Sequence, residues 1–386
     1  MLSIRNAALH IDTIALSENV ARLFASLGGA AIIPVLKADA YGLGLVPVAR
    51  ALQGAPGVRR FAVAQVFEGL TLRENGIETD ILVLGATLPE QAAAAVQANL
   101  TLSIHRVSDV ERIAAAARSA KVRARVQIKF DTGLHRIGIE PTNFYALCDA
   151  LAANRGALTL EGAYSHFADT DDESRCAAQF TLFQSLCDRL EQSGFPVPLR
   201  HIADSAASEQ YPAYALDAVR IGRRLAWDAP TGPQFGIREV ATLTARVLDV
   251  QPRRAGDRLG YGDGVTLDHD AVIAVLGIGY GDGLSERMAK QRLPVLLHGK
   301  RCPMLFSFMD QTLVEVDDSV TPGDTATLFG YDASGAFLSA QAQAAACGAN
   351  EGCALTTALL PRVARVYSAP DVTREVPDSG AQSFSR

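Results

Sequence analysis

A lysine stands at the end of the first strongly apolar, β-type run of the chain. The segment reads Pro34-Val35-Leu36-Lys37-Ala38-Asp39-Ala40-Tyr41-Gly42. An apolar surrounding favours the neutral form of an amine, and a neutral lysine can attack an aldehyde to form a Schiff base. We therefore single out Lys37 as a candidate Schiff-base former. The plainer alternative is a lysine that reaches into solvent from a strand end.

Further polar residues directly follow other β-type runs in the first 225 residues. They are Asp131 to Arg136, Ser165, His166, Ser205, Gly222 and Arg223. In a barrel of parallel strands, the residues at the carboxyl ends of the strands converge on one rim, where active sites lie. The pattern predicts that these residues gather around Lys37.

The elements that must position these residues are eight β-type runs, each followed by a helical stretch. The runs are 31–36, 61–65, 81–85, 101–105, 125–130, 158–164, 199–203 and 218–222. The clearest helical stretches are 88–100, 109–120, 143–153 and 176–193. This alternation is typical of a parallel sheet, and eight units predict a closed α/β barrel of the (β/α)8 TIM type.

From about residue 236 the pattern changes to short alternating strands separated by Gly and Pro. We predict strands at 240–250, 272–278, 293–297, 312–316 and 325–328, an Ala-rich helix at 338–346 and a last strand at 361–367. The predicted domains are a barrel over residues 1–235 and a mainly-β domain over 236–370. Residues 371–386 read as a loose polar tail.

Composition narrows the class of partner. The chain has 386 residues, a net charge of -6, 48% apolar residues and 20% charged residues, which is typical of a globular protein. The negative charge gives no support for binding nucleic acid or an anionic membrane, so we expect a small-molecule partner. The six cysteines lack the spacing of a metal or redox site, so we expect no bound metal. We find no leader and no long apolar run, so we expect a cytoplasmic protein.

Several motifs, taken together, resemble those of one enzyme family. They are Lys37-Ala38-Asp39-Ala40-Tyr41-Gly42, Lys129-Phe130-Asp131-Thr132-Gly133-Leu134-His135-Arg136, Ser165-His166-Phe167-Ala168, His201-Ile202-Ala203-Asp204-Ser205, Val219-Arg220-Ile221-Gly222, Gly260-Tyr261-Gly262, Gly279-Tyr280-Gly281-Asp282-Gly283, Met309-Asp310-Gln311 and Arg362-Val363-Ala364-Arg365. In this order and spacing they resemble the alanine racemase family of fold type III pyridoxal-phosphate enzymes. The resemblance spans nearly the whole chain.

The resemblance implies a two-base racemisation of an amino acid, most simply of alanine. Lys37 would hold pyridoxal 5'-phosphate as a Schiff base and act as the base on one face of the α-carbon. Tyr261 of the partner subunit would be the base on the other face, so the enzyme would be a homodimer with shared active sites. A tyrosine needs nearby positive charge to act as a base at neutral pH, and Arg136 and His166 are the candidates to supply it.

The resemblance also implies how the cofactor is held within residues 1–235. Arg220 would donate to the pyridine nitrogen, and because a guanidinium keeps its proton, the ring would stay a weak electron sink that favours reprotonation. The phosphate would lie in a cup of Tyr41, Ser205, Gly222 and Arg223.

Three further residues receive roles from the resemblance. Lys129 matches a lysine that is often carbamylated, and its added negative charge would hold Arg136. Met309 and Asp310 match a loop that crosses the dimer interface to meet the substrate carboxylate.

The chain departs from the family pattern at a few positions. Pro361 stands where we expect a phosphate-binding tyrosine, and we hypothesise that the Arg223 side chain replaces that tyrosine, since guanidinium binds phosphate well. Phe306 stands in place of an entrance arginine and Leu43 in place of a common histidine. These changes leave the proposed bases intact but alter the path of the substrate.

Other functions remain open at this stage. One is a racemase or epimerase that acts on serine, lysine or a biosynthetic intermediate. A barrel-fold amino-acid decarboxylase would favour an acidic partner at the pyridine nitrogen, which Arg220 argues against. A non-catalytic cofactor carrier would need neither the β-rich domain nor Tyr261.

Overall fold

The structure is a computed structural model that describes residues 4–227, 236–262, 264–349 and 351–368. The chain enters with a short strand, β1 (Ala7–Ile11), and a helix, α1 (Thr13–Ser26). The carboxylate of Asp12 accepts the backbone N–H groups of Ile14 and Ala15 and so caps the start of α1, because the first N–H groups of a helix have no partner within it.

Eight parallel strands follow, as the sequence predicts. They are β2 (Ala31–Pro34), β3 (Arg60–Val63), β4 (Asp80–Val83), β5 (Thr101–Ile104), β6 (Ala124–Lys129), β7 (Leu158–Tyr164), β8 (Arg200–His201) and β9 (Ala218–Ile221). β3 to β8 pair in chain order, and β2 pairs with β9. Bridges from Val35 to Ala62 and from Asp204 to Arg220 join the two groups. The strands thus form a closed barrel, which confirms the predicted fold class.

Helices connect the barrel strands and cover them from outside. They are α2 (Lys37–Gly42), which is a short turn with left-handed backbone at residues 38–41, and the helices α3 (Leu45–Leu52), α4 (Val66–Glu74), α5 (Pro89–Gln97), α6 (Val107–Ala120), α7 (Phe144–Ala153), α8 (Glu173–Gln192) and α9 (Ser205–Gln210). The four helices that the sequence shows clearly are α5 to α8, and each lies within three residues of its predicted limits. Their buried faces and the strands share one large apolar core.

The barrel also carries an ionic ring where four charged side chains of neighbouring strands meet. Arg60 lies 3.2 Å from Asp80 and 2.9 Å from Glu161, and Arg125 pairs with the same two carboxylates. Each charge therefore faces two opposite charges, which offsets part of the cost of removing them from water. The ring lies near the amino-terminal ends of the strands, away from the end that carries Lys37.

The second half of the chain is mainly β, as predicted. Its strands are β10 (Ala241–Arg253), β11 (Arg258–Leu259), β12 (Val265–Thr266), β13 (Ala271–Leu276), β14 (Pro294–Leu297), β15 (Lys300–Ser307), β16 (Thr312–Val316), β17 (Thr325–Tyr331), β18 (Phe337–Leu338) and β19 (Ala364–Tyr367), with helices α10 (Glu286–Lys290), α11 (Ala340–Ala346) and α12 (Cys353–Ala358). Nine strands form one sheet in the order β18-β17-β14-β15-β16-β13-β10-β1-β19. β11 and β12 form a separate hairpin.

The first strand of the chain crosses to this second sheet. β1 pairs antiparallel with β10 and parallel with β19, so residues 7–11 belong to the sheet of the C-terminal half, although the sequence groups them with the barrel. The division into residues 1–235 and 236–370 stays a prediction. The predicted tail, 371–386, lies outside the described residues.

The six cysteines are free thiols. Cys176, Cys187, Cys302 and Cys347 are buried, Cys148 and Cys353 are partly buried, and none is paired. Across the described ranges, no group of His, Cys, Asp and Glu side chains is arranged to hold a metal ion. Over the same ranges, no helix is long and apolar enough to span a membrane.

Candidate active site

The candidate Schiff-base lysine begins a left-handed turn at the carboxyl end of β2. Ala38, Asp39, Ala40 and Tyr41 have φ values of 53°, 56°, 51° and 60°. Left-handed helical conformation costs an L-residue about 1–2 kcal/mol. We call residues 37–42 the left-handed turn. It persists only because surrounding groups hold it, and such strain is concentrated at functional sites.

Side chains from distant parts of the chain hold the left-handed turn. The Asp39 carboxylate accepts the backbone N–H of Leu45 over 2.6 Å, and the Thr356 hydroxyl donates to the carbonyl oxygen of Tyr41 over 2.7 Å. Gly42 packs so closely that a Cβ there would lie 2.2 Å from the carbonyl oxygen of Thr356. Thr356 belongs to α12, so the C-terminal half of the chain braces the turn. The Glu68 carboxylate accepts the N–H of Ala38 over 2.8 Å.

Lys37 itself is exposed in the single subunit, and its Nζ lies 5.8 Å from the centroid of the Tyr41 ring. The desolvation that we expected at this lysine is therefore not supplied by its own barrel. Tyr41 is partly buried, and this burial raises the pKa of its phenol well above the usual range. The Tyr41 hydroxyl is thus a neutral hydrogen-bonding group at physiological pH.

The predicted phosphate cup is assembled from three strand ends. The backbone N–H of Gly222 lies 3.4 Å from Oγ of Ser205, and a Cβ on Gly222 would lie only 2.0 Å from Oη of Tyr41. The two hydroxyls therefore converge on a glycine backbone, where no side chain blocks close approach. Hydroxyls and free N–H groups are the donors that a phosphate requires.

Arg223 lies beside this cup but is already engaged. Its guanidinium forms an ion pair with the carboxylate of Glu351. Burial raises the pKa of the Cys353 thiol, and the positive charges of Arg223 and Lys37 nearby offset this effect in part. Residues 351 and 353, just before and at the start of α12, thus stand at the rim of the cup.

Pro361, which stands where we expect a phosphate-binding tyrosine, is exposed. Its carbonyl oxygen accepts a hydrogen bond from Arg5 over 2.7 Å, and it lines a cleft with Asp282 and Arg362. The loss of a phosphate-binding tyrosine at this position stays a prediction.

The buried Arg220 is fixed by acceptors on three sides. Nη1 lies 2.7 Å from Nδ1 of His201, and Nη2 donates to the carbonyl oxygens of Ser165 over 2.7 Å and Ile202 over 2.9 Å. Burial lowers the pKa of Arg220 to about 10, so the guanidinium stays protonated at neutral pH. Among the described residues, no carboxylate forms an ion pair with Arg220, so its charge is held by neutral acceptors.

His166 differs from our expectation of a positive charge. Burial, with the neighbouring Arg220 as the next cause, lowers the pKa of its imidazole to about 4. Asp204 lies 3.9 Å away and only partly offsets this effect. In the single subunit His166 is therefore neutral at pH 7, and Nδ1 accepts from Arg220 over 3.2 Å. Arg136 is exposed and remains the candidate cation.

Lys129 lies buried at the end of β6. Its Nζ donates to the carbonyl oxygen of Ile137 over 2.6 Å. Burial, together with the positive charges of Arg136 and Arg220, lowers the pKa of the amine to about 8. A pKa in this range leaves a useful fraction of neutral amine near neutral pH, which is the form that reacts with carbon dioxide.

The predicted second base lies on the surface of the β-rich half. Tyr261 is at the tip of the β11–β12 hairpin and is 77% exposed. Its ring packs edge-on against Phe308 at 5.1 Å and Phe306 at 6.5 Å between centroids. Met309, the residue after Phe308, is 59% exposed. We call these four residues the aromatic face.

Asp310 is exposed beside the aromatic face, in the loop between β15 and β16. Two hydrogen bonds join this loop to the turn at residues 280 and 281. The backbone N–H of Tyr280 donates to the carbonyl oxygen of Phe308 over 3.0 Å, and that of Gly281 donates to the carbonyl oxygen of Met309 over 2.7 Å. The predicted interface residues are thus together and held in place. Met309 and Asp310 lie on a surface and not in the core.

The residues at the barrel rim fit pyridoxal 5'-phosphate. The cofactor needs an amine for its aldehyde, a hydrogen-bonding partner for its pyridine nitrogen and donors for its phosphate. Lys37, Arg220 and the cup of Tyr41, Ser205 and Gly222 supply these groups. The glycine at the cup is what leaves space there, because a Cβ would collide with the Tyr41 hydroxyl.

Several residues that shape this site are not predicted from the sequence. Glu68, Thr356 and Glu351 have no motif of their own and lie far from Lys37 along the chain. The signal for Glu68 is its position three residues after Gln65, as in a capping box at the start of a helix. Thr356 and Glu351 become visible only through tertiary contacts.

A closed parallel barrel, a strand-end lysine on a strained turn and a β-rich second half define a class of two-domain barrel enzymes. Residues 11–230 match the family model of the alanine racemase N-terminal domain, and residues 240–367 match that of the alanine racemase C-terminal domain. The chain belongs to the alanine racemase family.

Individual relatives agree with this assignment. The alanine racemase of Thermobifida fusca is 37% identical over 333 residues, which are 84% of this chain and 88% of the relative, and that of Desulforamulus reducens is 38% identical over 74% and 78%. The solved Streptomyces coelicolor alanine racemase has a TM-score of 0.88 at 34% identity and covers 95% of this chain and 98% of its own. The Bacillus anthracis enzyme with bound L-Ala-P has a TM-score of 0.87 at 29% identity, with coverage of 95% and 96%.

Proposed function

We propose that this protein is an isomerase that interconverts L- and D-alanine with pyridoxal 5'-phosphate as its cofactor. The observation that carries the proposal is the meeting of Lys37, the buried Arg220 and the cup around Gly222 at one rim of the barrel. Membership of the alanine racemase family supports the same reaction. The division into a cofactor-binding barrel, residues 1–235, and a β-rich domain, residues 236–370, is part of the proposal.

When bound, pyridoxal phosphate withdraws electrons from the α-carbon of an attached amino acid and so makes the α-hydrogen acidic. Lys37 first provides the amine that holds the cofactor and then, released by the substrate amine, takes or returns a proton on one face of the α-carbon. Tyr261 of the partner subunit does the same on the opposite face. A racemase needs both groups because each enantiomer presents its α-hydrogen to a different side.

Arg220 would limit the reaction to proton transfer. With a pKa near 10, it keeps its proton, so it would donate a hydrogen bond to the pyridine nitrogen and not protonate it. An unprotonated pyridine would be a weaker electron sink, which would favour return of the proton to the α-carbon. A decarboxylase would gain from an acidic group at this position.

The remaining predicted residues complete the proposed site. Tyr41, Ser205 and Gly222 bind the phosphate. A carbamylated Lys129 holds the Arg136 guanidinium, which faces the substrate carboxylate. Met309 and Asp310 reach the site of the partner subunit from the aromatic face, so the working form is a homodimer. The prediction of a cytoplasmic enzyme rests on the sequence.

The proposal is tested with the purified protein and two variants, Lys37→Ala and the surface control Lys290→Ala. We expect the visible absorption band of a lysine-bound cofactor in the wild type and the control, and its loss in Lys37→Ala. Incubation of the wild type with L-alanine in deuterated water should give D-alanine that carries deuterium on the α-carbon. Absence of the band from the wild type would reject the cofactor and the mechanism together.

A second candidate function is racemisation of a different amino acid. The observation in its favour is that Phe306, which replaces an entrance arginine, packs against Tyr261 on the aromatic face. An apolar entrance changes which side chains are admitted without touching the proposed bases. Turnover of serine or lysine that exceeds turnover of alanine in the same deuterium assay would select this candidate.

A further inference from the structure

A buried carboxylate joins the left-handed turn to the neighbouring barrel strand. Glu68, in the first turn of α4, is 4% exposed. Its Oε1 accepts the backbone N–H of Ala38 over 2.8 Å, and its Oε2 accepts those of Ala64 over 2.8 Å and Gln65 over 2.9 Å. Both oxygens act as acceptors of N–H groups, so the arrangement requires an ionised carboxylate.

The three N–H donors lie just beyond the ends of two neighbouring barrel strands. Ala38 is the residue after Lys37 and the first residue of the turn with positive φ. Ala64 and Gln65 directly follow β3, the barrel strand next to β2. Glu68 therefore ties the backbone that carries Lys37 to the end of a rigid strand. The negative charge also lies at the amino-terminal end of α4, where the helix dipole favours it.

The other contacts that hold the left-handed turn act further along it. Asp39 binds Leu45, and Thr356 binds the carbonyl oxygen of Tyr41. These contacts fix the middle and the far end of the turn, whereas Glu68 fixes the peptide that directly follows Lys37. Four successive strained residues stay in place only where surrounding structure over-determines them. Loss of the Glu68 contact would release the turn at the end that determines where Nζ of Lys37 points.

We propose that Glu68 is a positioning residue for Lys37: its ionised carboxylate, through the N–H of Ala38, sets the direction of the amine that takes and returns the α-proton. This rests on the proposed function of Lys37. Glu68 does not touch substrate or cofactor and acts only through the backbone. Its removal should therefore affect the proton-transfer step more than the binding of substrate.

The decisive variant is Glu68→Gln, which keeps the shape of the side chain but has one acceptor oxygen. Its NH2 group would have to face an N–H donor on one of the two sides. Glu90→Gln is the matched control, because Glu90 is also in the first turn of a barrel helix, α5, but is exposed. We expect kcat of Glu68→Gln to fall about 10- to 100-fold with KM changed less than about threefold, since small misplacement of a reacting group has effects of this size.

A spectroscopic measurement separates positioning from general damage. The circular dichroism of the lysine-bound cofactor in the visible range reports how the cofactor is oriented by Lys37. It should change in Glu68→Gln and stay as in the wild type in Glu90→Gln, while far-ultraviolet circular dichroism is the same in all three proteins. Unchanged kcat and unchanged visible dichroism in Glu68→Gln would reject the inference.

Two further outcomes are distinguishable. If the wild type shows no lysine-bound cofactor, the proposed function fails and the inference falls with it. If Glu68→Gln does not fold, Glu68→Asp takes its place, because the shorter carboxylate keeps the charge but reaches only one of the two strand ends. Glu68→Asp with wild-type kcat and dichroism would then reject the role of Glu68.

Discussion

Nη1 of Arg220 donates a hydrogen bond over 2.7 Å to Nδ1 of His201, and Nε2 of the same imidazole lies 2.8 Å from Oε1 of Gln127. The imidazole thus accepts from the arginine and donates to the amide, which is possible only in its neutral form. Burial, with Arg220 as the next cause, lowers the pKa of His201 well below the usual range. A neutral histidine fixes one side of the guanidinium that faces the proposed cofactor.

Replacement of this histidine should loosen Arg220. In His201→Leu, one buried guanidinium N–H and the Gln127 amide lose their partner, and an unpaired buried polar group costs about 1–3 kcal/mol. We expect the free energy of unfolding in urea to fall by about this amount and pyridoxal phosphate to dissociate faster. His269→Leu is the control, because His269 forms only exposed ion pairs, which contribute little. Equal stability of the two variants would contradict the prediction.

A second buried histidine predicts how stability depends on pH. Burial lowers the pKa of His105 to about 4, whereas an unfolded histidine titrates near 6.5. Between these values the unfolded chain binds a proton at this residue and the folded chain does not. The free energy of unfolding should therefore decrease as the pH falls from about 6.5 towards 4, by up to about 1.4 kcal/mol per pH unit for this residue.

Urea unfolding at a series of pH values checks this slope. His105→Gln, which keeps an N–H donor for the carbonyl oxygen of Leu84, should reduce the slope by about one proton. His269 is the contrast, since hydrogen bonds to Asp268 and Glu315 raise its pKa. The stability that His269 contributes is fully present below the pKa of an unfolded histidine and is lost as the pH rises through the raised pKa of the folded state. His269→Gln should therefore leave the dependence of the free energy of unfolding on pH unchanged below pH 6. A His105→Gln slope equal to that of the wild type would count against the argument.

The barrel is predictable from the sequence because strands buried on both faces require continuous apolar runs. All eight runs become strands, and the polar residues after them meet at one rim. Strand β15 is missed, since Lys300, Arg301 and Pro303 are poor strand residues. They are tolerated there because they lie at the start of the strand, where Lys300 and Arg301 are exposed. β1 is likewise missed, because its five residues carry no signal for a partner 230 or more residues away.

The left-handed turn is beyond local prediction. Lys37-Ala38-Asp39-Ala40 favours an ordinary right-handed helix, and only Gly42 suggests an unusual backbone. The contacts that decide the conformation come from Glu68, 30 residues away from Ala38, and from Thr356, 315 residues away from Tyr41.

The ion pair between Arg223 and Glu351 predicts that substitution of the two residues changes the affinity for pyridoxal phosphate in opposite directions. If Arg223 binds the cofactor phosphate, Glu351 competes with the phosphate for the same guanidinium. Arg223→Ala should raise the dissociation constant of pyridoxal phosphate about 10-fold, since charge-assisted hydrogen bonds to phosphate are strong. Glu351→Gln should lower it, because the guanidinium is then free.

Titration of the cofactor-free protein with pyridoxal phosphate, followed by fluorescence, measures both constants. Arg254→Ala serves as the control for a lost surface charge, because Arg254 is exposed. In the double variant Arg223→Ala/Glu351→Gln, the dissociation constant of pyridoxal phosphate should equal that of Arg223→Ala alone, because Glu351 acts only through Arg223. Equal affinity of the Arg223→Ala variant and the wild type would leave Arg223 without a role at the phosphate.

The exposed position of Tyr261 predicts that activity depends on a shared site. Variants Lys37→Ala and Tyr261→Phe should each be almost inactive as homodimers. A heterodimer with one subunit of each kind, isolated through two different affinity tags, contains one site with both Lys37 and Tyr261 and one site with neither. It should therefore recover about half of the wild-type activity per dimer, as the twofold symmetry of a homodimer requires. If Tyr261 served the Lys37 of its own subunit, the heterodimer would be as inactive as its parents, and failure of the two tags to purify together would reject the dimer itself.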